Sequence, residues 1–189
     1  ALLIRRIKLR QERRYSGVNA VFPSLPDDLL KKSVINAWSV VRIMCIWTSR
    51  WDALSTPLRT CLNNGARLEV LLLDPENVCC QQRDQDINQP IGYTSRKIRS
   101  NIEDLASLIH NDAVPEGSVD LRLYNAIPSR VLYFIDELVL IGSHPIRQLS
   151  CDAPHFVAFG SETSLYTNVL QHFNNLWDAG EPHTRQIDL

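Results

Sequence analysis

Two nearly continuous apolar segments, separated by one helical pattern, constrain the fold more than any other feature of this sequence. The segments are "VVRIMCIW" (40–47) and "RLEVLLLDP" (67–75), and such runs are typical of strands covered on both faces. Between them, "TSRWDALSTPLRTCLNNG" has apolar residues at a helical period and ends at Gly65, a common helix terminator. The succession of strand, helix and strand predicts a parallel crossover in an α/β sheet.

Further helices and strands follow from the patterns on either side of this unit. The segment "SLPDDLLKKSVINAW" predicts one helix, and apolar spacing predicts two later ones, over 96–110 and 164–177. Strands are predicted at 119–124, as a pair within 128–144, and in "HFVAFG". The polar segment "ENVCCQQRDQDINQPIGYT" is interpreted as an exposed loop.

This order of elements predicts a single α/β domain. Its fold class is a mixed, mainly parallel β-sheet of about six to seven strands, sandwiched by helices. The domain is predicted over residues 18–180, after a basic helix or linker at 1–17 and before a C-terminal tail at 181–189. A chain of 189 residues is long enough for one well-filled core and short for two.

Charge is distributed unevenly along a chain of otherwise ordinary globular composition, with 44% apolar and 22% charged residues. The net charge of −1 gives no general argument for nucleic-acid binding. Residues 1–16, however, hold six basic side chains against one acidic side chain, a net charge of +5. We interpret this segment as a solvated linking helix; the alternative is an arm that faces a nucleic acid or a membrane surface.

Hydropathy and cysteine content indicate the cellular compartment of the protein, and sequence motifs indicate whether it binds a cofactor. No apolar run reaches the roughly 20 residues that a membrane span needs. Five cysteines, an odd number with two in core-like patterns, indicate reduced thiols in a cytoplasmic protein, while the vicinal pair Cys79-Cys80 leaves a redox role open. Because the chain opens on Ala1, tethering to a membrane through an upstream segment is an alternative. No cofactor or metal is expected, since the sequence has neither a glycine-rich phosphate loop nor zinc-type spacing.

The segment "PSRVLYFIDELVLIGSH" (128–144) has the layout of a catalytic strand pair. An apolar strand ends at Asp136, a short turn follows, and a second apolar strand ends at Gly142 and Ser143. This layout resembles the His-x-Lys-x4-Asp frame of the phospholipase D-like superfamily. Two further stretches, "NNGARLEVLLLDP" and "HFVAFGSETSLYTNVLQHFNNLWDAG", resemble the second strand and the closing strand and helix of one module of that superfamily.

The resemblance implies a site whose catalytic side chains have been replaced. In the superfamily the histidine attacks phosphorus and the lysine neutralises the phosphate oxygens. Here those two places are held by Ser129 and Val131, so we expect no catalytic residues and lean against an enzyme. The alternative is a rearranged site of Ser129, Asp136 and His144, in which the serine would need a base beside it.

Ligand-binding residues are expected beyond the carboxyl ends of the parallel strands, where α/β sheets bind their ligands. Backbone N–H groups at the start of the helix after Arg50 suit an anion, and Arg50 adds charge. The simpler interpretation is that these residues only cap the helix or pack against it. The candidates are Trp47, Thr48, Ser49, Arg50, Asp74, Ser129, Arg130 and Asp136.

The stretches "YSGVNAVFPS" and "LLLDPEN" resemble in particular the inactive phospholipase D-like domains of bacterial regulators. The resemblance implies a non-catalytic sensing, scaffolding or dimerisation domain of a regulatory or signalling protein. Implied partners are a second copy in a homodimer, an upstream domain or protein reached through residues 1–17, and an anionic small-molecule ligand. Two alternatives stay open: a divergent phosphodiesterase or nuclease with a rearranged site, and a nucleic-acid binder that uses the basic N-terminal arm.

Overall fold

The computed structural model describes residues 17–111 and 114–189. Within these ranges the chain forms one eight-stranded sheet and five α-helices, none of which is long and apolar enough to cross a membrane. The strands are β1 (Val18–Phe22), β2 (Val40–Cys45), β3 (Arg67–Leu73), β4 (Val119–Tyr124), β5 (Val131–Ile135), β6 (Leu138–Gly142), β7 (His155–Phe159) and β8 (Thr184–Ile187). The helices are α1 (Asp27–Ile35), α2 (Trp51–Asn63), α3 (Cys79–Asp86), α4 (Tyr93–Asn111) and α5 (Ser164–Trp177).

The strand order in the sheet is β1-β7-β6-β5-β2-β3-β4-β8. Strands β2, β3 and β4 run parallel to one another, and the other neighbouring pairs are antiparallel. The predicted mixed α/β class is confirmed, but two details of the prediction are wrong: the sheet is mostly antiparallel, and it has eight strands rather than six or seven. Helical crossovers connect neighbouring strands only from β2 to β3 and from β3 to β4, which limits the parallel part to those three strands.

The two edge strands account for the difference in strand number. Strand β1 pairs with β7 through a register that shifts between Val18 and Ala20. Strand β8 lies inside the segment predicted as a C-terminal tail, and it pairs with β4. The hydroxyl of Thr184 donates to the carbonyl of Leu176 at 2.5 Å, which ties β8 to α5. The predicted N-terminal helix or linker lies outside the described residues, apart from Gly17.

Alternate side chains of β5 define the two faces of the sheet. The Phe134 ring lies edge-to-face against Tyr166 and Phe173 of α5, with ring centroids 5.5 and 6.0 Å apart, so α5 covers this face. Tyr133 points to the opposite face, where its hydroxyl lies 3.3 Å from that of Thr48. The five residues of β5 are all buried, as expected of a strand that is covered on both sides.

Helix α3 occupies the segment predicted to be an exposed loop, so that prediction is wrong. The segment is polar because two of the three side chains that α3 buries, Arg83 and Asp84, are charged; the third is Cys80. The Asp84 carboxylate accepts the N–H groups of Gly92 at 2.6 Å and Thr94 at 2.7 Å. A buried acid therefore supports the start of α4, and apolar periodicity could not reveal it.

Candidate functional site

The carboxyl end of β2 and the start of β5 enclose a cleft. These strands are antiparallel neighbours, with Met44 opposite Leu132, so the residues that follow β2 lie beside those that open β5. The cleft has a volume of about 30 Å³, roughly the room of one water molecule. Its lining includes three predicted ligand candidates, Trp47, Thr48 and Ser49, together with Val131, Tyr133 and His144. Val131, in the place of the superfamily's lysine, thus faces the cleft.

The cation at this cleft comes from α3. Arg83 lines the cleft and is 5% exposed. Its guanidinium donates to the carbonyls of Pro145 at 2.7 Å and Gln148 at 2.9 Å, which lie in the loop between β6 and β7. No carboxylate among the described residues forms an ion pair with it, and burial lowers the pKa of Arg83. Asp86 of the same helix attracts the guanidinium through space without forming an ion pair. The cleft therefore borders on a buried positive charge whose hydrogen bonds go to carbonyl dipoles.

His144 uses both ring nitrogens for bonds within the protein. Nε2 lies 3.3 Å from the carbonyl of Arg130, and Nδ1 lies 2.8 Å from the hydroxyl of Ser150. Because a carbonyl can only accept, Nε2 carries the proton and Nδ1 accepts from the serine. Burial, and then the nearby Arg83 charge, lower the pKa of His144 to about 4, so the ring is neutral at pH 7.

His155 on β7 completes the polar wall of the cleft. Its side chain is fully buried, and Nδ1 donates to the carbonyl of Ala153 at 2.9 Å. Nε2 has no hydrogen-bond partner among the described residues and lies against Gly142, where a Cβ atom would approach it to 2.5 Å. Burial lowers the pKa of His155, so this nitrogen holds an unused lone pair. Glycine at position 142 makes room for the ring.

Hydroxyl groups and backbone donors follow β2. The N–H of Thr48 donates to Asn101 at 2.7 Å, and its Oγ1 accepts the N–H of Arg50 at 3.1 Å. The Arg50 side chain pairs instead with Asp27 in the first turn of α1, at 3.0 Å. Ser49 is exposed at the mouth of the cleft. Thr48 and Ser49 therefore present polar groups to the cleft, while the Arg50 charge is offset by Asp27.

Two further candidates have partners outside the cleft. The Trp47 ring meets Tyr93 edge-on at 6.0 Å, with the Lys97 ammonium 5.9 Å from its centre. The Asp74 carboxylate accepts the N–H of Glu76 at 2.9 Å and pairs with Arg185 of β8 at 3.0 Å. Trp47 is thus packed at the rim, whereas Asp74 stabilises the turn after β3.

The predicted acid of the motif frame lies far from the cleft, at the other end of β5 from Ser129. Asp136 occupies the turn to β6 with φ 50°, and its carboxylate accepts the N–H groups of Trp38, Ser39 and Val40 at 3.0–3.1 Å. The structure therefore does not bring Ser129, Asp136 and His144 together. Asp136 has a structural environment, with three backbone donors.

A histidine that sequence reasoning missed lies beside Ser129. The Nε2 atom of His172 on α5 is 3.1 Å from the Ser129 hydroxyl. Burial, and then the charge of Arg130, lower the pKa of His172, so the ring is neutral at pH 7 and able to accept a proton. The pair lies on the α5 side, away from the cleft, and no described carboxylate hydrogen-bonds to His172. No local sequence signal links two residues 43 positions apart.

Three of the cysteines are buried, and the described ranges hold no cluster of metal ligands; a redox role of Cys79-Cys80 stays open. Burial raises the pKa of Cys45 to about 12 and those of Cys61 and Cys80 to about 11, which keeps these thiols protonated and poorly reactive. Among residues 17–111 and 114–189, no group of three or more His, Cys, Asp or Glu side chains is placed to hold a metal ion.

Comparison with known proteins shows a fold but no close relative. No family model and no curated protein matches the sequence. Phosphatidylserine synthase of Haemophilus influenzae Rd KW20 matches 85% of this chain at 13% identity and a TM-score of 0.58. TrmBL2, an archaeal chromatin protein that binds DNA, matches 95% at 14% identity and a TM-score of 0.51. NucT of Helicobacter pylori matches 84% of this chain and 94% of its own at 12% identity and 0.49.

These likenesses concern architecture. The synthase and NucT are members of the phospholipase D-like superfamily, and the synthase supports a fold of that type for this chain. The chain spans 36% of the length of the synthase and 60% of that of TrmBL2. Proteins with this architecture include an enzyme, the synthase, and a DNA-binding protein, TrmBL2, so the fold alone assigns no activity.

Proposed function

We propose that this chain is a non-catalytic, phospholipase D-like sensing domain of a regulatory protein, and that it binds a small anion in the cleft. One observation carries the proposal: Arg83 is buried at the cleft without a carboxylate partner. A buried guanidinium that is bonded to carbonyls, with Asp86 acting on it only through space, keeps a charge that is incompletely offset, and an anion in the adjacent cleft would offset it further. Hydroxyl groups of Thr48 and Ser49 line the same cleft and would supply further donors.

The environment of His144 supports binding without covalent chemistry. A histidine nucleophile needs a nitrogen lone pair that faces the substrate. Nδ1 of His144 accepts from Ser150, and Nε2 is protonated toward a carbonyl, so neither nitrogen is available. Val131 supplies no charge where the superfamily has lysine. His155 keeps a free Nε2, but that nitrogen is packed against Gly142. The cleft thus combines features of an anion-binding site with a His144 ring whose two nitrogens are both engaged.

The loop that closes the cleft offers a route from binding to signalling. Arg83 holds this loop through two carbonyls, and the N–H of Arg147 in the same loop donates to Asp86 of α3 at 2.5 Å. An anion that competes for the guanidinium would weaken the hold of α3 on the loop. The receiver of that change would be a second copy of the chain, or a domain or partner reached through residues 1–17.

Thermal unfolding in the presence of inorganic phosphate or sulfate tests the proposal. We expect either anion to raise the unfolding midpoint of the wild type, and Arg83→Met to abolish the rise. Arg99→Met is the matched control, since Arg99 pairs with Glu76 at the surface and lies outside the cleft. Should Arg83→Met fail to fold, Ser49→Asp places a negative charge at the exposed mouth of the cleft and should prevent binding. Equal anion responses in all these variants would contradict the proposal.

A second candidate function is favoured by the contact between Ser129 and His172. A neutral histidine 3.1 Å from a serine hydroxyl is the arrangement of a nucleophile and its base, which suits the alternative of a divergent phosphodiesterase. The test is metal-free turnover of bis(p-nitrophenyl) phosphate. Turnover that is lost in both Ser129→Ala and His172→Gln would replace the non-catalytic proposal with this one. Nucleic-acid binding through the basic arm stays a prediction.

A further inference from the structure

A second concave surface lies on the α5 side of the sheet, beside β1, β6 and β7. The register places Ile141 opposite Phe156 and Phe156 opposite Val21, so these three side chains share one face. A groove of about 440 Å³ runs over this face, and Val18 and Leu165 also line it. Phe156 is 47% exposed and Val21 is 57% exposed, so the apolar wall continues to the open edge of the sheet.

The groove carries a positive charge at its polar border. Arg130 lines it, as do the hydroxyl-bearing side chains of Ser129 and Ser143. Arg130 is exposed, and no carboxylate of the described chain forms an ion pair with it. One guanidinium and two hydroxyl groups therefore lie next to the aliphatic and aromatic side chains that line the groove. Such a border complements a negatively charged group rather than a neutral or cationic one.

We infer that this groove binds a small amphiphile with an anionic head group and an aliphatic chain. Arg130, with Ser129 and Ser143, would hold the head group, and Ile141, Phe156 and Leu165 would cover the chain. The volume falls within the range of small-molecule sites, about 300–1,000 Å³. This inference goes beyond the proposed function, because the groove and the cleft lie on opposite faces of the sheet and share no lining residue.

The head group is defined by its charge and by its oxygen atoms. A guanidinium offers two parallel N–H donors, which match a carboxylate and a phosphate monoester equally well. Octanoate and octyl phosphate therefore serve as the two anionic probes, and the tighter one identifies the head group. Octyltrimethylammonium and octyl glucoside carry the same chain with a cationic and a neutral head.

Calorimetric titration below the critical micelle concentration of each probe tests the inference on the full chain. We expect one or both anionic probes to bind the wild type, with affinity reduced about tenfold in Arg130→Gln, which corresponds to the loss of one charge-assisted contact. Phe156→Ser should reduce it as well through the loss of apolar cover. Arg147→Gln is the matched control: Arg147 is exposed in the loop after β6 and does not line the groove.

Three results would overturn the inference. One is equal binding of the anionic probes by Arg130→Gln and Arg147→Gln. Another is binding of octyl glucoside as tight as that of the anions, which would leave the charge without a role. The third is a wild-type dimer in sedimentation velocity that Phe156→Ser dissociates while no probe binds, since the apolar wall would then be an interface between two copies. None of these variants changes a residue that lines the cleft. The outcome is therefore independent of whether phosphate or sulfate raises the unfolding midpoint.

Discussion

Asp136 and Val40 are joined by two hydrogen bonds between the turn after β5 and the start of β2. The N–H of Asp136 donates to the Val40 carbonyl at 3.0 Å, and the N–H of Val40 donates to the Asp136 carboxylate at 3.0 Å. The same carboxylate accepts the N–H groups of Trp38 and Ser39. The acid of the motif frame therefore fixes the entry of the chain into the central strand. This structural role is enough to explain why an aspartate occupies position 136, without any catalytic role.

Replacing Asp136 with alanine should destabilise the domain. The substitution leaves three backbone donors without their charged acceptor, which we expect to cost about 2–3 kcal/mol. Asp136→Asn should cost less, because the amide keeps one acceptor and asparagine tolerates the positive φ. Urea denaturation followed by circular dichroism measures both. Glu162→Ala, at an exposed acid, is the control, and a loss of the same size there would argue against a specific role for Asp136.

Replacing Gly142 with alanine should destabilise the domain by about 1–3 kcal/mol through overpacking. The new Cβ would lie 2.5 Å from Nε2 and 2.9 Å from Cε1 of His155, a rigid ring without room to move. A double-mutant cycle with His155→Ala gives the decisive measurement by urea denaturation. The cost of Gly142→Ala should largely disappear in the His155→Ala background. If Gly142→Ala destabilises the His155→Ala variant as much as the wild type, the loss of stability arises from the backbone of β6 instead.

Two tyrosine-to-phenylalanine substitutions should have opposite effects. The Tyr124 hydroxyl is buried and has no hydrogen-bond partner among the described residues, so Tyr124→Phe should be neutral or stabilising by about 1 kcal/mol. The Tyr166 hydroxyl donates to the Asp136 carbonyl at 2.5 Å, so Tyr166→Phe should destabilise by about 1 kcal/mol. Thermal unfolding of both variants checks the pair. Similar losses in the two would mean that Tyr124 has a partner, such as a buried water.

Stability should fall as the pH is lowered from about 6.5 to about 4. His144 has its pKa lowered from 6.5 to about 4 by burial and by Arg83, so in this window the unfolded chain binds a proton that the folded chain does not. The contribution is complete above pH 6.5 and is lost as the pH falls, by about 3 kcal/mol for this group. His144→Gln should flatten the dependence of unfolding free energy on pH. An unchanged slope would mean that other groups dominate, such as His155, whose pKa is also lowered.

Apolar periodicity in the sequence is sufficient to predict the helices and strands that bury one apolar face. The helix predicted over 164–177 is found at Ser164–Trp177, and the strand predicted over 119–124 is found at Val119–Tyr124. Helix α3 was missed because it buries an arginine and an aspartate, and β8 because four residues carry too little pattern. The antiparallel hairpin of β5 and β6 agrees with the sequence pattern. The sheet has more antiparallel pairs than predicted because β1, β5 and β8 also pair with strands that are distant in the sequence.

The site could be predicted only in part for a related reason. The rule that ligands lie beyond the carboxyl ends of strands selects Thr48 and Ser49, which line the cleft, because it depends on topology alone. Their role in binding stays a prediction. Arg83 and His172 come to their positions through the packing of α3 and α5. Arg83 is far along the chain from Pro145 and Gln148, and His172 is far from Ser129. A single sequence contains no local pattern that would pair these residues.

The closure of the cleft by the loop between β6 and β7 has a kinetic consequence. The cleft has room for about one water molecule, so a phosphate or sulfate ion would fit beside Arg83 only if the lining moves. In our proposal the moving part is the loop whose Pro145 and Gln148 carbonyls the guanidinium holds. Entry would then be gated by that movement, and the observed association rate would level off as solute concentration rises. The α5-side groove, which is open to solvent, would fill at a rate proportional to concentration. Stopped-flow traces would therefore separate the two surfaces by their time courses alone.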